Sequence, residues 1–182
     1  REELWTRFKT ASTTINRRHQ EHFEAKKEVE RQNLEKKTAI CEQIEGIDYS
    51  ALTTYQTWNN ATQQLLDLQT QWKSIGFAPQ KMNLKIFERF RAACDDFFRR
   101  KSEFFKEAKS ALANNLERKK ALCEAAEQLK DSEDWRATAD KLTKLQKEWK
   151  EIGPVAQKHS EALWKRFVSA CDYFFERRNA AT

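Results

Sequence analysis

The sequence predicts an all-α protein built from tandem three-helix bundles. Three observations lead there. A helical, aromatic, arginine-bearing phrase occurs three times, as Leu4-Trp5-Thr6-Arg7-Phe8, Ile86-Phe87-Glu88-Arg89-Phe90 and Leu163-Trp164-Lys165-Arg166-Phe167. Repetition over tens of residues marks an array of similar modules. The 182 residues include only three Gly and two Pro, so turns are few and helices long. Apolar residues also recur at three-and-four spacing, the mark of one buried helical face.

The elements follow in order. Glu2 to Glu45 contains neither Gly nor Pro and reads as one helix. Its last part, Asn33 to Glu45, is the first helix of a module, repeated as Asn115 to Leu129. The second helix spans about Thr53 to Ile75, or Ser132 to Ile152. Its buried face carries Trp58, Ala61, Leu65, Leu68, Trp72 and Ile75, or Trp135, Ala139, Leu142, Leu145, Trp149 and Ile152. Gly76 and Gly153 stand where a glycine commonly ends a helix, and Pro79 and Pro154 delay the next one. The third helix starts near Asn83 or Ser160, both acceptable N-caps. From Asn83 to Lys130 there is again no Gly or Pro, so the third helix of one module runs into the first helix of the next. Some 48 residues at about 1.5 Å each predict a shared rod of roughly 70 Å. The expected architecture is elongated, with a spectrin-like topology.

Module boundaries come from the repeat spacing. Phe8 and Phe90 lie 82 residues apart, Phe90 and Phe167 77. The five-residue difference falls between Ile47 and Trp58, where Gly46, Asp48 and Ser50 mark a loop that tolerates insertion. Residues 1–32 read as the third helix of a preceding partial repeat, 33–110 as the first full repeat and 111–182 as the second. A chain that opens with Arg inside a motif copy reads as part of a longer array.

Composition limits the function classes. The net charge of +6 is modest and allows an acidic partner without requiring one. No apolar run reaches the ~18 residues needed to cross a bilayer, and no secretory signal is present. Cys41 and Cys123, and Cys94 and Cys171, occupy equivalent repeat positions and form no C-x-x-C, so they read as buried apolar thiols. Free thiols suit the cytoplasm, the expected location.

The pattern Trp149, Ile152-Gly153-Pro154, Leu163-Trp164-Lys165-Arg166-Phe167 and Ala170-Cys171-Asp172-Tyr173-Phe174-Phe175 resembles the bacterial repeat called domain of unknown function 349. The resemblance covers nearly the whole chain. It implies a bacterial, all-helical tandem-repeat protein and supplies no activity or catalytic residues. The first copy departs from it, because Thr13, Thr14, Ile15 and Asn16 replace the Asp and Phe-Phe section. Its packing partner is expected in a further module.

Arg7 and Arg18, Arg89 and Arg100, and Arg166 and Arg177 form equivalent pairs three helical turns apart. They are candidate contacts for an anionic partner such as a phosphate backbone. The competing reading pairs them locally, with Asp95 meeting Arg99 and Asp96 meeting Arg100, and packs Arg89 and Arg166 within the bundle. Phe87, Phe90, Phe97, Phe98, Phe104 and Phe105 fit a core better than a base-stacking platform. The core assignment comprises Trp58, Trp72, Phe90, Cys94, Phe97, Trp135, Trp149, Phe167, Cys171 and Phe174. Gln80-Lys81 and Gln157-Lys158 recur on equivalent loops and are candidate loop contacts.

His19 and His22 are a weak ligand pair that does not recur. No H-E-x-x-H, G-x-S-x-G or phosphate-binding loop occurs. No catalytic residue, metal or cofactor is assigned, and neither a small-molecule substrate nor a membrane is expected. The function this supports is a non-enzymatic scaffold or protein-binding module. The alternative is an RNA- or ribosome-associated protein using the arginines and the pairs Lys26-Lys27, Lys36-Lys37 and Lys119-Lys120.

Overall fold

A computed structural model describes residues 1–181, which contain five α-helices and no strand. They are α1 (Glu2–Glu45), α2 (Tyr55–Ser74), α3 (Gln80–Leu129), α4 (Trp135–Glu151) and α5 (Gln157–Ala181). The chain divides into two compact units, Arg1–Ser102 and Glu103–Thr182. Helix α3 is unbroken, as the absence of Gly and Pro requires, and contributes to both units.

In the first unit, the end of α1, all of α2 and the start of α3 supply one apolar stripe each. Ile40, Cys41 and Ile44 of α1 are buried with Trp58, Ala61 and Leu65 of α2 and Ile86, Phe90, Cys94 and Phe97 of α3. Full burial of each large side chain contributes about 1.5–3 kcal/mol relative to exposure. Trp72 of α2 stacks on Phe90 at 4.0 Å between ring centroids, which fixes the facing of those two helices. The five-residue insertion forms a 3-10 turn, Tyr49–Ala51, capped by Asp48, whose carboxylate accepts from the Ser50 backbone N–H. Helix α2 then opens on a capping box between Thr54 and Thr57.

The second unit repeats the plan. Leu122, Cys123 and Ala126 of α3 meet Leu142 and Trp149 of α4, and Leu163, Phe167, Ala170, Cys171 and Phe174 of α5. Trp149 stacks on Phe167 at 4.5 Å, the counterpart of the Trp72–Phe90 pair.

Four expectations are corrected. The third helices start at Gln80 and Gln157, three residues ahead of Asn83 and Ser160. Asn83 lies within the first turn, and its side-chain oxygen reaches back to accept from the Ala78 N–H. Gly76 and Gly153 do not end their helices through a left-handed backbone, because no glycine has positive φ. They make room instead. A Cβ at Gly76 would lie 3.1 Å from Asn33 Nδ2, and one at Gly153 2.9 Å from Asn115 Nδ2. The third correction concerns α4, where Thr138 rather than Ala139 fills the buried slot equivalent to Ala61. Its hydroxyl is 2.8 Å from Ser132 Oγ, which removes the cost of burying it. Lastly, Phe87 and Phe98 are exposed, and Trp72 and Trp135 are only half-buried. A stripe on a helix has limited width, so not every aromatic of the motif can face inward.

Candidate functional site

The arginine positions separate into those engaged within a unit and those left to solvent. Arg89 on α3 forks onto Glu45 at the end of α1, with Nη2 2.6 Å from Oε1 and Nε 3.0 Å from Oε2. Arg166 on α5 repeats this on Glu127, at 2.6 Å and 3.0 Å. These hydrogen bonds hold both carboxyls below the usual carboxylate range. Arg100 lies 4.2 Å from the Tyr49 ring and 3.0 Å from Asp96. Arg99 turns to the same Asp96 at 2.6 Å, and Asp95 meets Arg91 at 3.7 Å, so the expected pairing of Asp95 with Arg99 gives way to the opposite turn. Arg177 donates to the backbone carbonyls of Lys130 and Ser132 and lies over Trp135 and Tyr173. Arg7 and Arg18 are exposed on α1, with no ion pair among the described residues.

Two of the lysines also turn inward, which their charge alone did not signal. Lys37 is 7% exposed, with its amine 5.0 Å from the Trp72 ring centroid, and burial lowers its pKa. Lys119 takes the equivalent place over Trp149 at 4.8 Å. Each lysine covers one side of a tryptophan whose other side stacks on phenylalanine. Asn33 and Asn115 are a second missed pair. Their side-chain N–H groups donate to the carbonyls of Phe77 and Pro154, tying the first helix to the loop after the second. The signal was present at offset 82, in residues matched there only for spacing.

The candidate contacts Gln80, Lys81, Gln157 and Lys158, expected on loops, lie in the first turns of α3 and α5, because those helices start earlier than Asn83 and Ser160; all four are exposed. Gln80 and Lys81 line a hollow of about 780 Å³ in the first unit, between Phe23–Arg31 of α1 and Pro79–Met82. Phe23 and Met82 form apolar lining there, and an adjoining hollow is lined by Val29 and Phe77. All four are exposed, Phe77 at 75%. The charged lining comprises Lys26, Lys27, Arg31 and Lys81 beside Glu24, Glu28 and Glu30. In the second unit Phe105 corresponds to Phe23, but Ala111 stands in place of Val29, Pro154 in place of Phe77 and His159 in place of Met82, so the set of four apolar residues does not recur there.

The four thiols are free and buried. Desolvation raises the pKa of each, to about 11 for Cys41, so the nucleophilic thiolate is suppressed. His19 and His22 are exposed on α1. Among the described residues no group of three or more His, Cys, Asp and Glu is placed to hold a metal ion. Nor is any helix among them long and apolar enough to cross a membrane.

Neither the curated proteins nor the solved structures contain a match to this chain. A family model described as Domain of Unknown Function (DUF349) matches residues 3–81 and again residues 85–158. Each matched segment takes in a long helix and the middle-length helix after it, α1 with α2 and α3 with α4. The packing is out of phase with this register, since the hairpin of the first matched segment is closed by the start of the second. With most of its length matched in two consecutive copies, the chain belongs to the Domain of Unknown Function (DUF349) family.

Proposed function

We propose that this chain is a non-enzymatic, protein-binding helical repeat module that acts in the cytoplasm. The observation that carries the reading is the apolar hollow of the first unit, where Phe23 and Met82 are exposed under a rim of mixed charge. Exposed apolar surface of this kind, rimmed by polar residues, is a mark of protein-contact sites. The glutamates on the rim disfavour a phosphate backbone, which seeks an unbroken basic surface. Free buried thiols suit the reducing compartment.

The RNA- or ribosome-binding alternative retains the net charge of +6 and the exposed Arg7 and Arg18. It loses support at Arg89 and Arg166, which are engaged by glutamates, and at Lys37 and Lys119, which cover tryptophans.

Affinity capture from the cells that make the protein, with and without nuclease, tests the reading. Protein partners should survive nuclease treatment and be lost with a Phe23→Ser/Phe77→Ser/Met82→Ser variant that melts as the parent does. Recovery that depends on RNA and ignores this variant would establish the alternative.

A further inference from the structure

A different surface, on the first half of α1, has a more definite occupant. The third-helix motif appears three times, and two copies are packed. In those copies Ile86 and Leu163, Phe90 and Phe167, Cys94 and Cys171, and Phe97 and Phe174 are all buried. The corresponding residues of α1 are Leu4, Phe8, Ser12 and Ile15. They keep the same helical spacing and form the same stripe, yet Leu4 is 71% exposed, Phe8 66% and Ile15 64%. Phe90 is 9% exposed and Phe97 fully buried.

The packed copies say what covers such a stripe. In each, a tryptophan of the second helix lies flat on the central phenylalanine. A glutamate from the end of the first helix takes the motif arginine. A first-helix cysteine approaches the carbonyl of the leading aliphatic residue, Cys41 at Ile86 and Cys123 at Leu163. A second-helix glutamine faces the thiol of Cys94 or Cys171. On α1 each receptor is present: Phe8 for the tryptophan, Arg7 for the glutamate, the Leu4 carbonyl for the thiol and the Ser12 hydroxyl for the glutamine.

We infer that the Leu4–Phe8–Ser12–Ile15 face of α1 is a docking surface for a two-helix hairpin of the same repeat family. The occupant is a first and second helix not covered by a third helix of their own. A second copy of this chain does not meet that condition, because both of its hairpins are closed by α3 and α5. The inference is independent of the apolar hollow, which lies further along α1 and involves none of these residues.

The test lengthens the full chain. Residues 103–159 are duplicated ahead of Arg1, so that the added hairpin stands to Leu4 as the second unit's hairpin stands to Leu163. A parallel version uses residues 21–82. Each carries Ser12→Cys, and labelling of the new thiol is followed in the native state. It should react at least about tenfold more slowly in both extended chains than in the S12C parent, since reaction then needs a local opening. Phe8→Ser in the extended chains should restore fast labelling. Equal labelling rates in parent and extended chains would overturn the inference. So would an added hairpin that stays unfolded, because the same hairpin folds against its own third helix. A concentration-dependent dimer of the parent that protects the new thiol, seen by sedimentation equilibrium, would make a second copy the occupant and refute the choice made here.

Discussion

The two units place the same arginine in two different settings. In the second unit Arg177 is half-buried, donates to the Lys130 and Ser132 carbonyls and lies over Trp135. In the first unit the corresponding Arg100 is exposed and lies over Tyr49, a residue of the five-residue insertion, while Asp96 holds its Nε. The insertion lengthens the loop after the first helix and supplies its own aromatic, which also packs on Trp58 and Phe97. The repeat therefore fixes where the arginine stands, and the loop decides what it touches. A loop is the cheap place for such a change, because added length there costs little closure entropy.

The largest effects should be the ones on which the units agree. Phe97 and Phe174 are fully buried at equivalent positions. Truncating either to Ala should cost about 3–5 kcal/mol, the usual range for a core aromatic. Chemical denaturation of both variants measures this. Costs that differ by more than about 2 kcal/mol would show that the two cores are not equivalent where their burial says they are.

The stacked tryptophans should separate the units. Trp149 is 8% exposed and flanked by Trp164, whereas Trp72 is half-buried. Trp149→Ala should therefore cost about 3–5 kcal/mol and Trp72→Ala about 1–2 kcal/mol less, because it returns less apolar area to water. The same denaturation series reads both. Equal losses would mean that the Lys37 cover over Trp72 supplies what burial does not.

Arg177→Gln should come next, at about 1–2 kcal/mol, since it abandons two backbone carbonyls and the cation–π contacts with Trp135 and Tyr173. Arg100→Gln should cost under about 1 kcal/mol, as expected for an exposed contact. Adding Tyr49→Ala should reduce the Arg100 effect further and leave the Arg177 effect unchanged, which a double-mutant cycle measures directly.

Much of this could be read from sequence, for identifiable reasons. α1 and the end of α3 were legible because Gly and Pro are absent across them, and the α2 stripe because Trp58, Leu65 and Trp72 keep helical spacing. The start of α3 was not, because Asn83 looks like an N-cap and acts from inside the first turn. Thr138 was missed because hydropathy favours Ala139, and only the offset of 77 from Ala61 gives its slot. The paired lysines read as solvated charge, although Lys37 and Lys119 share the offset of 82 that also relates their neighbours. The hollow was half legible. Gln80 and Lys81 recur as a polar pair at Gln157 and Lys158, but Phe23, Val29, Phe77 and Met82 do not recur as a set, so repetition does not reveal them.

The smallest effect expected is also the most even between the units. Glu45 and Glu127 accept the same fork from Arg89 and Arg166, and both carboxyls are held below their ordinary value of 4.5. A carboxyl whose folded pKa is lowered stabilises the fold fully above its unfolded pKa. That contribution is lost as pH falls through the lowered folded value. Both pairs are well exposed to solvent, so the effect should be far smaller than any core truncation and should fade with added salt. Melting curves of Glu45→Gln and Glu127→Gln, taken from neutral pH to below 4, should run slightly under the parent at neutral pH and converge on it in acid. The two variants should do so alike. A deficit that persists unchanged at low pH would mean that the glutamates act through packing and not charge. A deficit confined to one variant would show that the insertion beside Tyr49 alters the first unit as far as its Arg89–Glu45 pair.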